Sequence, residues 1–254
     1  MRIVRASHDG RIVFGVVDET DVVVLAGDPL FAGFDTTGER IPLSKVQLLA
    51  PVIPRSKVVG IGRNYAAHAA ELGNDVPESP LVFLKPNTSV IGPGDPIVLP
   101  PESSNVHFEG ELALVVGRVT RRVAKADALD HVFGWTIAND VTARDLQQSD
   151  GQWWRAKGFD TFCPLGPGIE TDLDVADVLV ETRLDGETKQ SGSTKDLIFD
   201  IPTLVEHVSA AMTLLPGDVI LTGTPAGVGP MAAGQTVEVS IAGLGTLRNP
   251  VVQG

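Results

Sequence analysis

Two acids at the start of a wholly apolar run set the strongest constraint on how this chain can fold. Glu109 and Glu111 are separated by Gly110 and are followed directly by the apolar residues 112–116. An uninterrupted apolar run of this length is typical of a buried strand. Because side chains alternate along a strand, both carboxylates point to the same face. The sequence therefore predicts a buried strand that carries two acids on one face.

A third acid, Asp140, ends a second apolar run that begins near Val132. If the two strands are neighbours, three carboxylates converge, and buried like charges must protonate or pair with a cation. Three oxygen ligands without cysteine suit Mg²⁺ or Mn²⁺ better than zinc. The spacing alone leaves two interpretations open, a divalent-metal site at Glu109, Glu111 and Asp140 or three ordinary surface acids in an acidic protein.

Length and charge exclude several classes of protein. The chain has 254 residues and a formal net charge of −12, which argues against nucleic acids and anionic membranes as partners. The sequence contains no apolar run of about 18 residues, so it predicts no membrane span. Residues 1–5 are not followed by the apolar stretch that a signal peptide requires. With Cys163 as the one cysteine, no intramolecular disulfide can form. We therefore expect a cytoplasmic protein.

Many short apolar runs end at turn signals, such as Asp9-Gly10 and Pro216-Gly217, and this pattern indicates a strand-dominated α+β fold. It is not the alternating βαβ pattern of a Rossmann-type sheet. Outside the N-terminal region, strands are predicted at residues 58–60, 81–84, 97–99, 111–116, 132–139, 178–184, 219–221 and 236–241. Helices are predicted at residues 65–72 after an Asn64 cap, at 202–212 and near 125–129.

Residues 1–54 are predicted to form a small β-rich N-terminal domain. A hairpin of residues 2–7 and 11–17 is followed by a third strand at 22–25. The prolines of the segment 51–54 hold the chain extended and mark a linker. Residues 55–254 then form the main domain.

A histidine and an acid on the first predicted helix form a candidate catalytic pair. His68 and Glu71 lie three residues apart and share one helix face. A histidine that is oriented by a carboxylate is a common general base near neutral pH. The alternative interpretation is a weak ion pair on a solvated helix surface.

Lysines and a glycine-rich segment could complete a site for an anion. Lys85 or Lys157, if placed near the three carboxylates and a divalent ion, would hold an anionic substrate; the alternative is an ordinary surface lysine. Residues 222–229 could bring backbone N–H groups and the Thr224 hydroxyl to an anion, or they form only a tight turn. Arg144, Asp145 and Gln147 support the acids or belong to a turn network.

Taken together, these segments resemble the fumarylacetoacetate hydrolase family. The resemblance runs from about residue 58 to residue 252, and its motifs occur in the order of the family. They are GRNYAAHAAE at 62–71, FLKP at 83–86, EGE at 109–111, NDVTARDLQ at 139–147, KGFD at 157–160, PLGP at 164–167 and TGTPAGVG at 222–229.

The resemblance implies a fold, a cofactor and a set of roles. The fold is a mixed β-sheet roll around a central site, usually in a homodimer, and the cofactor is Mg²⁺ or Mn²⁺ bound by Glu109, Glu111 and Asp140. The substrate is a 2-oxo acid or its enol. The catalytic roles fall to His68, Glu71 and Lys157. Substrate contacts are implied at Arg63, Tyr65, Lys85, Gln147 and Thr224.

The predicted activity is that of a metal-dependent enzyme that stabilises an enolate while a bond at C3 of a 2-oxo acid breaks. The His68–Glu71 pair favours C–C cleavage, either hydrolysis of an acylpyruvate or decarboxylation of oxaloacetate. One alternative is isomerisation of 2-hydroxyhepta-2,4-diene-1,7-dioate. Another is a metal-binding protein without catalytic activity.

Overall fold

The computed structural model describes residues 1–71, 73 and 75–254 of the chain, and strands dominate this part. The first ten strands are β1 Arg2–His8, β2 Arg11–Asp18, β3 Asp21–Leu25, β4 Thr36–Pro42, β5 Gln47–Leu48, β6 Val58–Gly62, β7 Leu81–Lys85, β8 Val90–Ile91, β9 Ile97–Leu99 and β10 Val106–Phe108. The others are β11 Gly110–Val116, β12 Val132–Asn139, β13 Thr142–Ala143, β14 Cys163–Glu170, β15 Leu179–Leu184, β16 Glu187–Ser193, β17 Val219–Leu221, β18 Gly229–Pro230, β19 Thr236–Ile241 and β20 Gly245–Gln253.

The helices are short. The α-helices are α1 Pro29–Ala32, α2 Ala66–Glu71, α3 Arg144–Ser149, α4 Trp154–Gly158 and α5 Ile201–Ala211. Turns of 3₁₀-helix occur at Leu43–Lys45, Asn87–Ser89, Lys125–His131 and Thr194–Asp196. Among the described residues, no helix has both the length and the apolar character needed to cross a membrane. The predicted strand-dominated α+β fold is confirmed.

The described residues form three sheets, of which two are mixed and one, β13-β10-β18, is antiparallel. The largest follows the order β4-β3-β2-β1-β14-β12-β11-β17-β6-β7, with β5 beside β1 and β8 beside β14. A second sheet has the order β13-β10-β18, and a third has the order β16-β15-β19-β20-β9. Most neighbours are antiparallel, but three pairs are parallel: β17 with β6, β9 with β20 and β8 with β14.

Strand β11 lies at the centre of the core, between β12 and β17. Leu112 and Leu114 on one face pack in a cluster with residues of α5 and of the third sheet. Ala113 and Val115 on the other face pack in a second cluster that includes Ile3 of β1. Because both faces are buried, the run does not alternate between apolar and polar residues.

The two longest predicted helices differ from the observed ones by small shifts. Helix α5 begins after Asp200, whose carboxylate accepts a hydrogen bond from the Thr203 N–H at 3.0 Å. Helix α2 begins at Ala66, and its predicted last residue, Leu72, lies outside the described residues. Asn64 does not cap α2; its side chain bonds to the backbone of Phe199 and donates to the Thr222 carbonyl.

The N-terminal strands are hydrogen-bonded into the main sheet. The predicted hairpin forms from β1 and β2, and both turn residues, Asp9 and Gly10, have positive φ as a two-residue hairpin turn requires. Strand β1 then pairs with β14 through Arg2 opposite Glu170 and Ile3 opposite Ile169. The division of the chain at residue 54 and the homodimer remain predictions.

Strand β14 was not predicted, because Pro164, Gly166 and Pro167 interrupt its sequence and prolines cannot donate to a sheet. The structure accommodates them with an irregular register between β14 and β12, where the pairing shifts between Trp135 and Ile137.

Gly110 offers a direct test of the packing around β11. A Cβ atom added there would lie 2.1 Å from Thr182 Oγ1 and 2.9 Å from Val239 Cγ1. We expect Gly110→Ala to lower the free energy of unfolding by about 1–3 kcal/mol, the usual cost of overpacking a core. Urea denaturation of the wild type and the variant measures this difference in the free energy of unfolding. In the control Gly229→Ala, the new Cβ would lie 3.5 Å from Phe108 Cζ, an ordinary contact. Equal stability of the two variants would contradict the packing described.

Candidate active site

The pairing of β11 with β12 brings the three predicted acids together. Gly110 lies opposite Asn139, so Asp140 falls beside Glu109, whose carbonyl accepts the Asp140 N–H at 2.8 Å. The Asn139 side chain accepts the Glu109 N–H at 2.9 Å. One carboxylate oxygen from each of Glu109, Glu111 and Asp140 lies within 4.8 Å of the others, and all three residues are buried.

Three cations from separate elements neutralise two of these acids. Lys157 of α4 places its ammonium 2.7 Å from Glu109 and 2.5 Å from Asp140. Lys85, at the end of β7, contacts Asp140 at 2.5 Å from the other side. Arg144, the first residue of α3, forms an ion pair with Glu109. Glu109 and Asp140 therefore each have two cationic partners.

Glu111 is the acid without a cationic partner among the described residues. Its carboxylate accepts the Gly223 N–H at 2.6 Å, and burial together with Asp140 and Glu109 raises its pKa well above the ordinary value. Burial also acts to raise the pKa of Glu109, but Lys157 and Arg144 outweigh it and the pKa is lowered. The oxygen donors and the crowded charge at Glu111 fit a divalent cation such as Mg²⁺ or Mn²⁺.

A cavity of about 230 Å³ opens onto the acids. Eight of the predicted site residues line it: Arg63, His68, Glu109, Glu111, Asp140, Gln147, Lys157 and Thr224. The other residues that line it are Ile61, Gly62, Arg144, Gln148 and Trp153.

His68 and Glu71 are arranged as a pair at this cavity. His68 is buried, and its Nδ1 lies 3.4 Å from Glu71 Oε2. The Gly227 N–H donates to both oxygens of Glu71 at 3.1 Å. The histidine is therefore enclosed rather than solvated, and its carboxylate partner is held by the loop that follows β17.

Two predicted substrate contacts do not line the cavity. Lys85 is fully buried, and its ammonium contacts Asp140 and, at 3.2 Å, the Val141 carbonyl. Tyr65 is buried as well, and its hydroxyl has no hydrogen-bond partner among the described residues. Burial and the neighbouring Glu111 raise the pKa of Tyr65. Lys85 thus contacts the site from behind Asp140.

The other predicted contacts face the cavity. Arg63 has a positive φ of 56°. Its guanidinium carbon Cζ lies 6.0 Å from the centre of the Trp153 ring. Gln147 accepts a hydrogen bond from Arg144 at 2.6 Å. The Thr224 hydroxyl donates to the Gly110 carbonyl at 2.9 Å.

Sequence reasoning missed Trp153 and Gln190 and left Arg144 undecided. Arg144 and Gln147 are three residues apart on α3, so a helix prediction there would have paired them. Gln190 holds both Gly110 and Thr224 by hydrogen bonds. No local signal marks it, since its partners are far away in the sequence.

Comparison with known proteins shows the family to which the chain belongs. Residues 57–252 match the family described as fumarylacetoacetate (FAA) hydrolase, C-terminal. The chain belongs to the fumarylacetoacetate hydrolase family. Residues 1–51 match a second family, described as Rv2993c-like, N-terminal.

Two curated relatives of this family member are similar over most of its length. Protein Rv2993c of Mycobacterium tuberculosis is 52% identical, over 100% of this chain and 98% of the relative. Oxaloacetate tautomerase YisK of Bacillus subtilis is 45% identical, over 82% of this chain and 74% of the relative.

Two solved structures have the same fold. The 5-carboxymethyl-2-hydroxymuconate delta-isomerase from Mycobacterium smegmatis has a TM-score of 0.93 and 50% identity, with 100% of both chains covered. The maleylpyruvate hydrolase from Sphingobium sp. SYK-6, in complex with manganese (II) ion and pyruvate, has a TM-score of 0.81 and 33% identity, again over 100% of both chains.

Replacing Glu111 by glutamine should separate metal binding from folding. In metal-free buffer, the raised pKa of Glu111 means that its protonated form stabilises the fold, and this contribution is lost as the pH rises above the ordinary value of 4.5. We expect Glu111→Gln to lack this loss, so the variant gains stability over the wild type toward neutral pH.

Mn²⁺ at about one hundred times its Kd should stabilise the wild type by about 2.7 kcal/mol and leave Glu111→Gln unchanged. Urea denaturation at several pH values, with and without Mn²⁺, measures both effects. Glu187→Gln is the control, because that side chain is exposed and lies outside the cavity. Equal stabilisation of wild type and Glu111→Gln by Mn²⁺ would exclude Glu111 as a ligand.

Proposed function

We propose that the protein is a divalent-metal-dependent enzyme that cleaves a C–C bond at C3 of a 2-oxo acid through its enolate, either by hydrolysing an acylpyruvate or by decarboxylating oxaloacetate. The observation that carries the proposal is the cluster of Glu109, Glu111 and Asp140, with ligand oxygens within 4.8 Å, in a cavity that also contains His68 and Lys157.

The names of the relatives support the substrate class. Oxaloacetate and maleylpyruvate are 2-oxo acids, and 5-carboxymethyl-2-hydroxymuconate carries the enol form of the same group. The structure with manganese and pyruvate adds a metal and a 2-oxo acid in one relative. All of these reactions pass through charge on the 2-oxo oxygen, so one site chemistry serves them.

The charges of the cavity favour a dianionic substrate. When all are ionised, the four carboxylates of the site, Glu71, Glu109, Glu111 and Asp140, are balanced by four cations, Arg63, Lys85, Arg144 and Lys157. A bound divalent ion adds two positive charges, which a substrate with two carboxylates would neutralise. Burial of the site makes such a balance necessary, because unpaired charge is costly away from water. Oxaloacetate and acylpyruvates with a second carboxylate meet this requirement.

Each site residue has a role in this proposal. Glu109, Glu111 and Asp140 would hold Mg²⁺ or Mn²⁺, whose Lewis acidity would stabilise negative charge on the 2-oxo oxygen. Lys157 keeps its proton, because Asp140 and Glu109 outweigh the effect of burial and raise its pKa. Its ammonium therefore remains a cation beside the site where enolate charge develops.

The His68–Glu71 pair handles the proton. Glu71 and the Gly227 N–H fix the orientation of the helix face that carries His68. With Nδ1 directed to Glu71, Nε2 of His68 has no hydrogen-bond partner among the described residues, so it can accept a proton from a water molecule or return one to C3. Water activation leads to hydrolysis, and proton return completes the product of decarboxylation.

A second candidate function is isomerisation of 2-hydroxyhepta-2,4-diene-1,7-dioate. The observation that favours it is the 50% identity to the 5-carboxymethyl-2-hydroxymuconate delta-isomerase over the full length of both chains. Isomerisation moves a proton and needs no activated water. The two candidates therefore differ in what His68 must do.

A substrate panel tests the reaction. We expect C–C cleavage products from oxaloacetate or an acylpyruvate in the presence of Mg²⁺ or Mn²⁺, and none with excess EDTA, with products identified by NMR. Because free metal ions also promote such reactions, metal alone and metal with Glu111→Gln are the controls. Turnover of the heptadienedioate alone would support the isomerase, and full activity in EDTA would overturn both candidates.

Replacing His68 distinguishes the steps. We expect His68→Gln to slow C–C cleavage by about 10²–10⁴-fold, the usual size of general base catalysis. Mn²⁺ affinity should persist, because His68 is not a proposed ligand. Deuterium exchange at C3 of the 2-oxo acid should also persist, because the bound ion would acidify the C3 protons enough for exchange with solvent without His68. His207→Gln on α5 is the matched control. Cleavage by His68→Gln at the wild-type rate would remove His68 from the mechanism.

A further inference from the structure

Strand β16 carries one buried residue, and that residue is Gln190. The other six residues of the strand are exposed or partly exposed, as expected for the edge strand of the third sheet. A buried amide is costly unless its polar atoms are hydrogen-bonded. The partners of Gln190 therefore explain why a glutamine is buried there.

The Gln190 side chain bridges the acidic segment and the loop after β17. Its Oε1 accepts the Gly110 N–H at 2.9 Å. Its Nε2 donates to Thr224 Oγ1 at 2.7 Å and to the Pro225 carbonyl at 2.8 Å. The orientation of the amide is unambiguous, because a backbone N–H can only donate and a carbonyl can only accept.

The orientation of the Gln190 amide also determines whether the Thr224 hydroxyl can donate or accept a hydrogen bond in the cavity. Its oxygen accepts from Gln190, so its proton is directed to the Gly110 carbonyl at 2.9 Å. A hydroxyl has one proton and two lone pairs. The one capacity that remains on Thr224 is a lone pair, so toward the cavity it accepts hydrogen bonds and does not donate them.

The loop lies against β16 as closely as a backbone allows. A Cβ atom at Gly227 would lie 2.0 Å from the Lys189 carbonyl oxygen, so only glycine fits. The same loop donates the Gly223 N–H to Glu111 at 2.6 Å. Gln190, the Gly110 peptide, Glu111 and the loop thus form one closed set of hydrogen bonds.

We propose that Gln190 is a positioning residue of the metal site, which fixes the Glu109–Glu111 segment against the loop of Thr224 and keeps the Thr224 hydroxyl an acceptor. The inference rests on the proposed function, because it assumes that these acids bind a divalent ion. Groups that orient metal ligands typically contribute 10–100-fold to metal affinity. Part of the effect should pass directly through the Gly110 N–H that Oε1 accepts, and part through Thr224, which receives the Nε2 hydrogen bond and donates to the Gly110 carbonyl.

Mn²⁺ binding, measured by isothermal titration calorimetry, tests the proposal without an activity assay. We expect Gln190→Met, which keeps the size and removes the amide, to weaken Mn²⁺ binding by about 10–100-fold. The control is Asn249→Asp, because Asn249 is a buried amide that donates two hydrogen bonds, to Gly92 and Asp95, away from the cavity. Its thermal stability should fall while its Mn²⁺ affinity stays within about twofold of the wild type.

A double-mutant cycle with Thr224→Val tests whether the effect of Gln190→Met on Mn²⁺ binding depends on Thr224. If Gln190 acts through Thr224, Gln190→Met should weaken Mn²⁺ binding clearly less in the Thr224→Val background than in the wild type. Additive losses would overturn this route. If Gln190→Met does not fold, Gln190→Asn carries the same expectation, because its amide is one methylene too short to reach both partners.

The outcomes separate the two proposals. A Gln190 variant with wild-type Mn²⁺ affinity, or with a loss no larger than that of Asn249→Asp, would overturn the positioning role and leave the proposed function intact. A wild-type protein that binds no Mn²⁺ would overturn both.

Discussion

Repulsion among three buried carboxylates is the constraint on which the rest of the site depends. Glu109, Glu111 and Asp140 are brought together by a single strand pairing, and nothing in that pairing neutralises them. The chain meets the constraint with cations from three places, the end of β7, the start of α3 and the last turn of α4. The two short helices that follow Asp140, α3 and α4, place Arg144 and Lys157 beside the acids.

The cationic partners are unevenly distributed among the three acids. Glu109 and Asp140 each have two cations, whereas Glu111 has a backbone N–H. The acid that lacks a cationic partner among the described residues therefore lies where the loop after β17 approaches the cluster, and burial together with Asp140 and Glu109 raises its pKa. Relatives named for isomerisation and hydrolysis share this fold, and one named for tautomerisation is similar in sequence. One fold can carry several reactions, because the reaction depends on the groups placed in the site.

The sequence predicted the parts of the fold that rest on strong local patterns. Strand β11 was identifiable because both of its faces are buried, and α5 because Pro202 lies in its first turn and its apolar residues recur with helical spacing. Helices α3 and α4 were missed because five or six residues are too few to display a period. The Glu-x-Glu spacing and Asp140 located the acids, but not which cation pairs with which acid.

Gln190 shows why part of the site could not be predicted. Its partners Gly110 and Thr224 are 80 and 34 residues away, and its own strand reads as a polar surface segment. A role that arises only when distant segments meet leaves no mark in the local sequence. For Lys85, the sequence marked the residue as a candidate but not its partner, because the contact with Asp140 spans 55 residues.

The attachment of β1 to β14 affects more than the shape of the main sheet. If β1 were absent, part of β14 would be an open edge, with free N–H and C=O groups along residues near Ile169. Open edges of this kind invite pairing with strands of other molecules. Ile3 also packs in the apolar cluster behind the acids. The N-terminal strands therefore move the open edge of the sheet from β14 to β4, where Glu39, Arg40 and Pro42 are residues of the kinds that discourage pairing with another chain.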